Sequence, residues 1–140
     1  MMNALIAASA AALISSAAFA DSPGDGDAHV SLENVEWFDG PLPGVQLAHL
    51  WGDDETGARW FFKMEPGVAL PMHIHTNDYW GMTIQGAWVH IEGDGSEFRT
   101  APGDYALVKG GEPHADRCDG EIPCIGVLDF AGPRDVALVE

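Results

Sequence analysis

GVALPMHIHTNDYWGMTIQG, residues 67–86, is the stretch on which the fold turns. After the turn residues Pro66-Gly67, Val68–His75 and Tyr79–Gln85 read as strands, and Gly86 separates the second from a further run, Ala87–Glu92. Side chains two apart on a strand share a face. His73 and His75 can therefore bring both imidazoles to one point, which is the simplest way for a strand to begin a metal site. The same period puts Tyr79, Gly81, Thr83 and Gln85 on the face expected to look inward, where Thr83 and Gln85 would line a small pocket. Trp80, Met82 and Ile84 fall on the opposite face, and an outward apolar stripe needs cover. Either the segment ahead of the first strand or a second copy of the chain could supply it, and the expectation is a homodimer.

On both sides of this stretch the chain is a succession of short apolar runs divided by Gly, Pro, Asp and Asn. Val35–Phe38, Val45–Trp51 and Arg59–Met64 precede it; Glu97–Thr100, Tyr105–Lys109, His114–Cys118 and Ile122–Phe130 follow. In Val45–Trp51 the alternation places Val45, Leu47 and His49 together. No helical period is sustained anywhere after residue 33. Strands at this spacing predict an all-β sandwich or barrel in one domain over 34–140, with residues 131–140 as a short tail.

The spacing of particular residues narrows this further. From Gly67 the chain counts five residues to His73, one to His75, three to Tyr79 and six to Gly86; from Gly103 it counts five to Lys109, one to Gly111 and two to His114. This resembles the two signature motifs of the cupin superfamily, and PLPGVQLAHLWGD (41–53), HIHTNDYWGMTIQGAWVH (73–90) and PGDYALVKGGEPHADRC (102–118) are similar to a group of small exported bacterial cupins. The resemblance implies a single cupin jelly-roll, with His73, His75 and His114 as ligands of one divalent transition metal. Imidazole ligands suit Zn, Cu, Fe and Ni alike, and Mn is not excluded, so the ion is not chosen by the ligand set. The motif's glutamate falls on Tyr79, its proline on Lys109 and its asparagine on Cys118.

Tyr79 in place of a carboxylate alters the chemistry. Its phenol, with an ordinary pKa of about 10, is a neutral donor to metal-bound water or to substrate, and it is the candidate catalytic residue. Asp78 is the neighbouring acid, but an odd step along a strand turns it to the other face. Three neutral imidazoles leave a divalent ion at +2 and favour an anionic ligand. Three-histidine cupins include dioxygenases, so the resemblance implies a dioxygenase-like enzyme acting on a small anionic or enolisable compound. The competing expectation is a non-catalytic metal or small-ligand binding protein. His49 and His90 stand outside the motif frame, and His90, on the Trp88 face of its strand, is expected to be a packed or surface histidine.

Charge and targeting set the remaining bounds. The chain holds 22 acidic and 6 basic residues, a net −16, which argues against nucleic acid or an anionic membrane surface as partner. Residues 1–20 are small and apolar, carry no charged side chain and end in Ala18-Phe19-Ala20. They read as a signal peptide cleaved before Asp21, placing the protein in the periplasm or outside the cell; the alternative is a membrane anchor, which wants about 18 uninterrupted apolar residues. Residues 21–33 read as a flexible leader. The pair Cys118 and Cys124, with Asp119-Gly120 beginning a turn between them, is expected to form a disulfide across a hairpin in an oxidising compartment, the alternative being two unlinked thiols.

Overall fold

The computed structural model describes residues 29–139; the expected signal peptide and most of the leader lie outside them. A 3-10 turn, Leu32–Asn34, is followed by eleven strands: β1 (Phe38–Asp39), β2 (Val45–Asp53), β3 (Gly57–Met64), β4 (His73–Ile74), β5 (Tyr79–Gln85), β6 (Ala87–Glu92), β7 (Glu97–Thr100), β8 (Tyr105–Val108), β9 (His114–Asp119), β10 (Cys124–Phe130) and β11 (Ala137–Leu138). They form two sheets, in the orders β1-β2-β3-β10-β5-β8 and β11-β4-β9-β6-β7, with every named pairing antiparallel. The chain is thus all-β, a double-sheet jelly-roll as expected.

The sheets bury one face each against the other. Val45, Leu47, Trp60, Met64, Tyr79, Val108, Leu128 and Phe130 meet in the core, with Phe62 and Trp88 packed on its margin. Along β5 the alternation holds: Tyr79 and Thr83 are buried, whereas Met82 and Ile84 are exposed. Gly86 is the corner at which the chain leaves one sheet for the other. Its φ is +81°, and a Cβ there would meet the Pro123 carbonyl at 2.8 Å, so both the turn and the approach require glycine.

Three local expectations are corrected. The run Val68–His75 is not one strand. Pro71 has no N–H to give a ladder, and only His73–Ile74 is regular, although Leu70 N still donates to Asp116 O at 2.7 Å and Cys118 N to Val68 O at 2.9 Å. The first strand is not Val35–Phe38 but Phe38–Asp39; Trp37 instead lies over Phe61, their rings 6.1 Å apart. That contact covers part of β3's outer face, leaving the stripe on β5 uncovered among the described residues. His49 keeps the register of Val45 and Leu47 and packs on Trp60, their rings 4.8 Å apart, at the exposed margin of that face; the bulge on this strand comes after it, between His49 and Trp51. The C-terminal segment is not a loose tail, since β11 pairs with β4 and Val139 N donates to Met72 O.

The cysteines do form a disulfide, with Cα atoms 5.6 Å apart, but not across a hairpin. Cys118 lies on β9 in one sheet and Cys124 on β10 in the other, so the bond joins the two layers. Both sulfurs belong to fully buried residues. Closing so short a loop stabilises the fold by about 2 kcal/mol in the chain-entropy treatment. Urea titration of the Cys118→Ala/Cys124→Ala double variant is expected to show at least that loss, and non-reducing mass analysis of the parent should find no alkylatable thiol. An unchanged denaturation midpoint would contradict the stapling role.

Candidate metal centre

The site is assembled at one end of the β4–β9 pair. His73 and His114 are direct cross-strand partners, so their side chains leave the ladder on the same face. His75 lies one residue past β4, where Gly111 N donates to its carbonyl at 2.7 Å and holds the backbone in place. The three rings converge, with centroids 4.4 Å apart for His73–His114, 5.1 Å for His73–His75 and 5.2 Å for His75–His114. One nitrogen from each lies within 4.8 Å of the others.

Hydrogen bonding settles which nitrogen faces inward. His73 Nδ1 meets Pro71 O at 2.8 Å, His114 Nδ1 meets Glu112 O at 3.1 Å, and His75 Nδ1 is in close contact with Asp135 O. A carbonyl oxygen only accepts, so each Nδ1 must carry the proton and donate it. In a neutral ring Nε2 is then left with its lone pair. Burial pushes the His114 imidazole down to about 4, against opposing contributions from Asp116 and the Glu112 carbonyl. His75 is also lowered, again chiefly by burial. Imidazoles kept neutral with Nε2 free are what a metal ion requires, and this donor set fits one.

The predicted site residues divide. Tyr79 is buried beside the cluster, its hydroxyl 3.5 Å from His114 Nε2, and burial, reinforced by Asp116 and Glu92, raises its pKa well above the usual value; it is a neutral phenol. Asp78 is turned away, as expected: it accepts from Lys109 and from Gly110 N. Thr83 lines an inner cavity of about 40 Å³ together with Trp88, His90 and Thr100, and its hydroxyl lies 2.7 Å from that of Thr100. Gln85 is drawn off: its amide donates to Pro123 O at 2.9 Å, and it lines neither this cavity nor the one beside the histidines. The second cavity, of about 50 Å³, is bounded by His73, His75 and Tyr79 on one side and by Leu42, Val45 and Phe62 on the other.

Two features went unread in the sequence. Asp116 sits inside the barrel, 4% exposed, accepting from Trp88 Nε1 at 2.8 Å and His90 Nδ1 at 3.2 Å. Its signal was present, because residues 114, 116 and 118 share one face of a strand. His90 is packed, as expected, but against the cluster: its ring centroid is 4.8 Å from that of His114. The other feature is the C-terminal strap. Asp135 takes His75 Nδ1 on its carbonyl and the Thr76 N–H and hydroxyl on its carboxylate, while Asn77 donates to Pro133 O. Nothing in the local sequence pairs residue 75 with residue 135.

A family model described as "Cupin domain" matches residues 60–128. Among solved structures, the chain is similar to the polyketide cyclase RemF from Streptomyces resistomycificus (18% identity, TM-score 0.68, covering 82% of this chain and 87% of that one). It is also similar to Rru_A2000 from Rhodospirillum rubrum, a cupin-2 domain (19%, TM-score 0.65, 82% of each chain). A third is the DMSP lyase DddQ from Ruegeria pomeroyi DSS-3 (18%, TM-score 0.63, 75% of this chain), of which the chain spans only 61%. At these identities the likeness is one of fold. No curated protein matches the sequence.

The lowered His114 pKa has a direct consequence for the metal-free protein. Between pH 6.5 and about 4 the unfolded chain takes up a proton at this imidazole that the folded chain refuses, so its contribution to stability falls as pH drops through that window. Long-range proton–nitrogen spectra should show His75 and His114 as Nδ1–H tautomers at pH 7, with His114 titrating near 4. A His114 midpoint at the ordinary imidazole value would refute the buried, carbonyl-held ring.

Proposed function

We propose, from the premise that the chain belongs to the cupin superfamily, that it is an exported protein binding one divalent transition metal through His73, His75 and His114. We further propose that it is an enzyme acting on a small anionic or enolisable compound. The observation that carries this reading is the convergence of three Nε2 lone pairs, each freed by a backbone carbonyl that holds the other ring proton. Three protein ligands leave coordination positions for a substrate, as catalytic sites do.

The bound ion would supply Lewis acidity and a template for a chelating anion, with dioxygenase-like chemistry where the metal is redox-active. The chain's own contributions are binding, orientation and exclusion of water. The Tyr79 hydroxyl, uncharged and beside His114, is placed to donate to an oxygen of the bound compound. Leu42, Val45, Leu47 and Phe62 give the cavity an apolar wall, and Phe130 packs beside the Tyr79 ring, their centroids 5.0 Å apart. A cavity of about 50 Å³ restricts the ligand to a few heavy atoms unless the walls part. That tightness also favours the second reading, a non-catalytic holder of metal or of a small ligand. Export is supported by the buried disulfide, since such bonds persist in oxidising compartments. The exposed apolar side chains Met82, Ile84, Tyr105 and Leu107 on β5 and β8 are where a second copy of a homodimer would seat.

Protein recovered from the cell should contain close to one metal ion per chain, and His114→Ala should lose it; full metal content in that variant would sink the ligand assignment. Chelation should lower the melting temperature, because an ion held at a hundred times its dissociation constant adds about 2.7 kcal/mol. Oxygen-uptake assays with small diketones, thiols and phenols then separate the two readings: turnover by the metal-loaded protein supports the enzyme, and zinc content without turnover supports the holder.

A further inference from the structure

Asp116 and His73 face each other in an arrangement that suits a cation. The Oδ1 atom of Asp116 is occupied by Trp88 Nε1–H and His90 Nδ1–H. Its Oδ2 makes no hydrogen bond among the described residues and lies 3.8 Å from His73 Nε2. His73 Nδ1 already donates to Pro71 O, so in the neutral ring Nε2 is a lone pair. Two acceptors thus confront one another beside the cavities that Asp116 lines, with exposures of 3% and 5% for the two side chains, and a metal ion bound between them satisfies both.

The spacing suits the ion. Metal–ligand bonds of about 2.0–2.2 Å separate neighbouring donor atoms by roughly 3–4 Å around a tetrahedral centre. The Asp116 carboxylate also falls within 4.8 Å of nitrogen donors on His114 and His90, a second group that shares His114 with the three-histidine cluster.

We propose that Asp116 supplies the carboxylate of the metal centre, taking on from β9 the role that position 79 on β5 has given up, with His90 and Trp88 as the positioning residues that aim its free oxygen. The proposal rests on the metal-centre reading above and changes its charge arithmetic. Three imidazoles alone leave a divalent ion at +2, whereas three imidazoles and Asp116 leave it at +1. It also frees Tyr79 to serve as a hydrogen-bond donor rather than a ligand. Seen this way, the site keeps the charge of a three-histidine, one-carboxylate centre while presenting its acid from a different wall of the barrel.

The test is a titration of the full chain with cobalt(II), read by its visible d–d absorption and by competition with a chelator. Asp116→Asn keeps the shape of the side chain and an oxygen for Trp88. It is expected to weaken cobalt affinity at least about tenfold, with one ion per chain still bound at saturation and a shifted absorption band. Trp88→Phe, which leaves the carboxylate but removes one of its anchors, should give a smaller loss in the same direction. Equal affinity and an identical spectrum in wild type and Asp116→Asn would overturn the proposal while leaving the three-histidine site standing. A wild-type chain that takes up no cobalt would overturn both. Should Asp116→Asn fail to fold, infrared difference spectra of wild-type protein with carbon-13-labelled aspartate decide the matter. A carboxylate band that moves on cobalt binding supports the ligand, and an unmoved band refutes it.

Discussion

An imidazole offers a lone pair to an ion only while its other nitrogen keeps the proton, and here a backbone carbonyl holds that proton for each of His73, His75 and His114. Two of these carbonyls lie two residues upstream, at Pro71 and Glu112, so the local turn that delivers the ring also fixes its tautomer. The third belongs to Asp135, sixty positions along the chain. Much of the surrounding architecture serves to put these oxygens in place. The β4–β9 pairing sets His73 opposite His114, Gly111 N pins the His75 carbonyl, and β11 brings the strap alongside.

The interior and the surface handle charge in opposite ways. A net −16 is spread over the chain, and the outer acids that have partners find them at exposed arginines and lysines: Glu97 and Asp119 with Arg117, Asp129 with Arg59, Asp78 with Lys109. Such exposed pairs each contribute little to stability. Asp116 is the acid enclosed by the barrel, and it is surrounded by histidines rather than by fixed cations. A protonated histidine can partner it, and so can an ion held by those same rings. The enclosed charge is thus matched to groups whose own charge state can change, which is the arrangement of a site rather than of a structural ion pair.

Much of this was legible in the residues, for reasons of period and spacing. The alternation along β5 assigned Tyr79 and Thr83 inward and Met82 and Ile84 outward without error, because one face of that strand is buried and the other is not. The motif frame placed His114 with the HxH pair, and the fold followed from strands divided at Gly and Pro. The misreadings have physical causes. Pro71 interrupts a run whose apolar pattern alone looks like one strand. The Cys118–Cys124 turn looks like a hairpin because a seven-residue stretch does not reveal that its two ends lie in different layers. Gln85 is on the inward face by period, yet Pro123 captures its amide. Asp116 was the nearest miss, since it stands two residues after His114 on the same strand.

The strap at Asp135 bears on when the site comes into being. The carbonyl that fixes the His75 tautomer comes from residue 135, so a chain not yet folded that far holds at most a partial donor set. Under the proposed metal-binding function, an ion would be bound only after the barrel has closed, not during synthesis. Imidazole ligands discriminate weakly among divalent metals. The ion would then be selected by what is available where folding is completed as much as by its ligands.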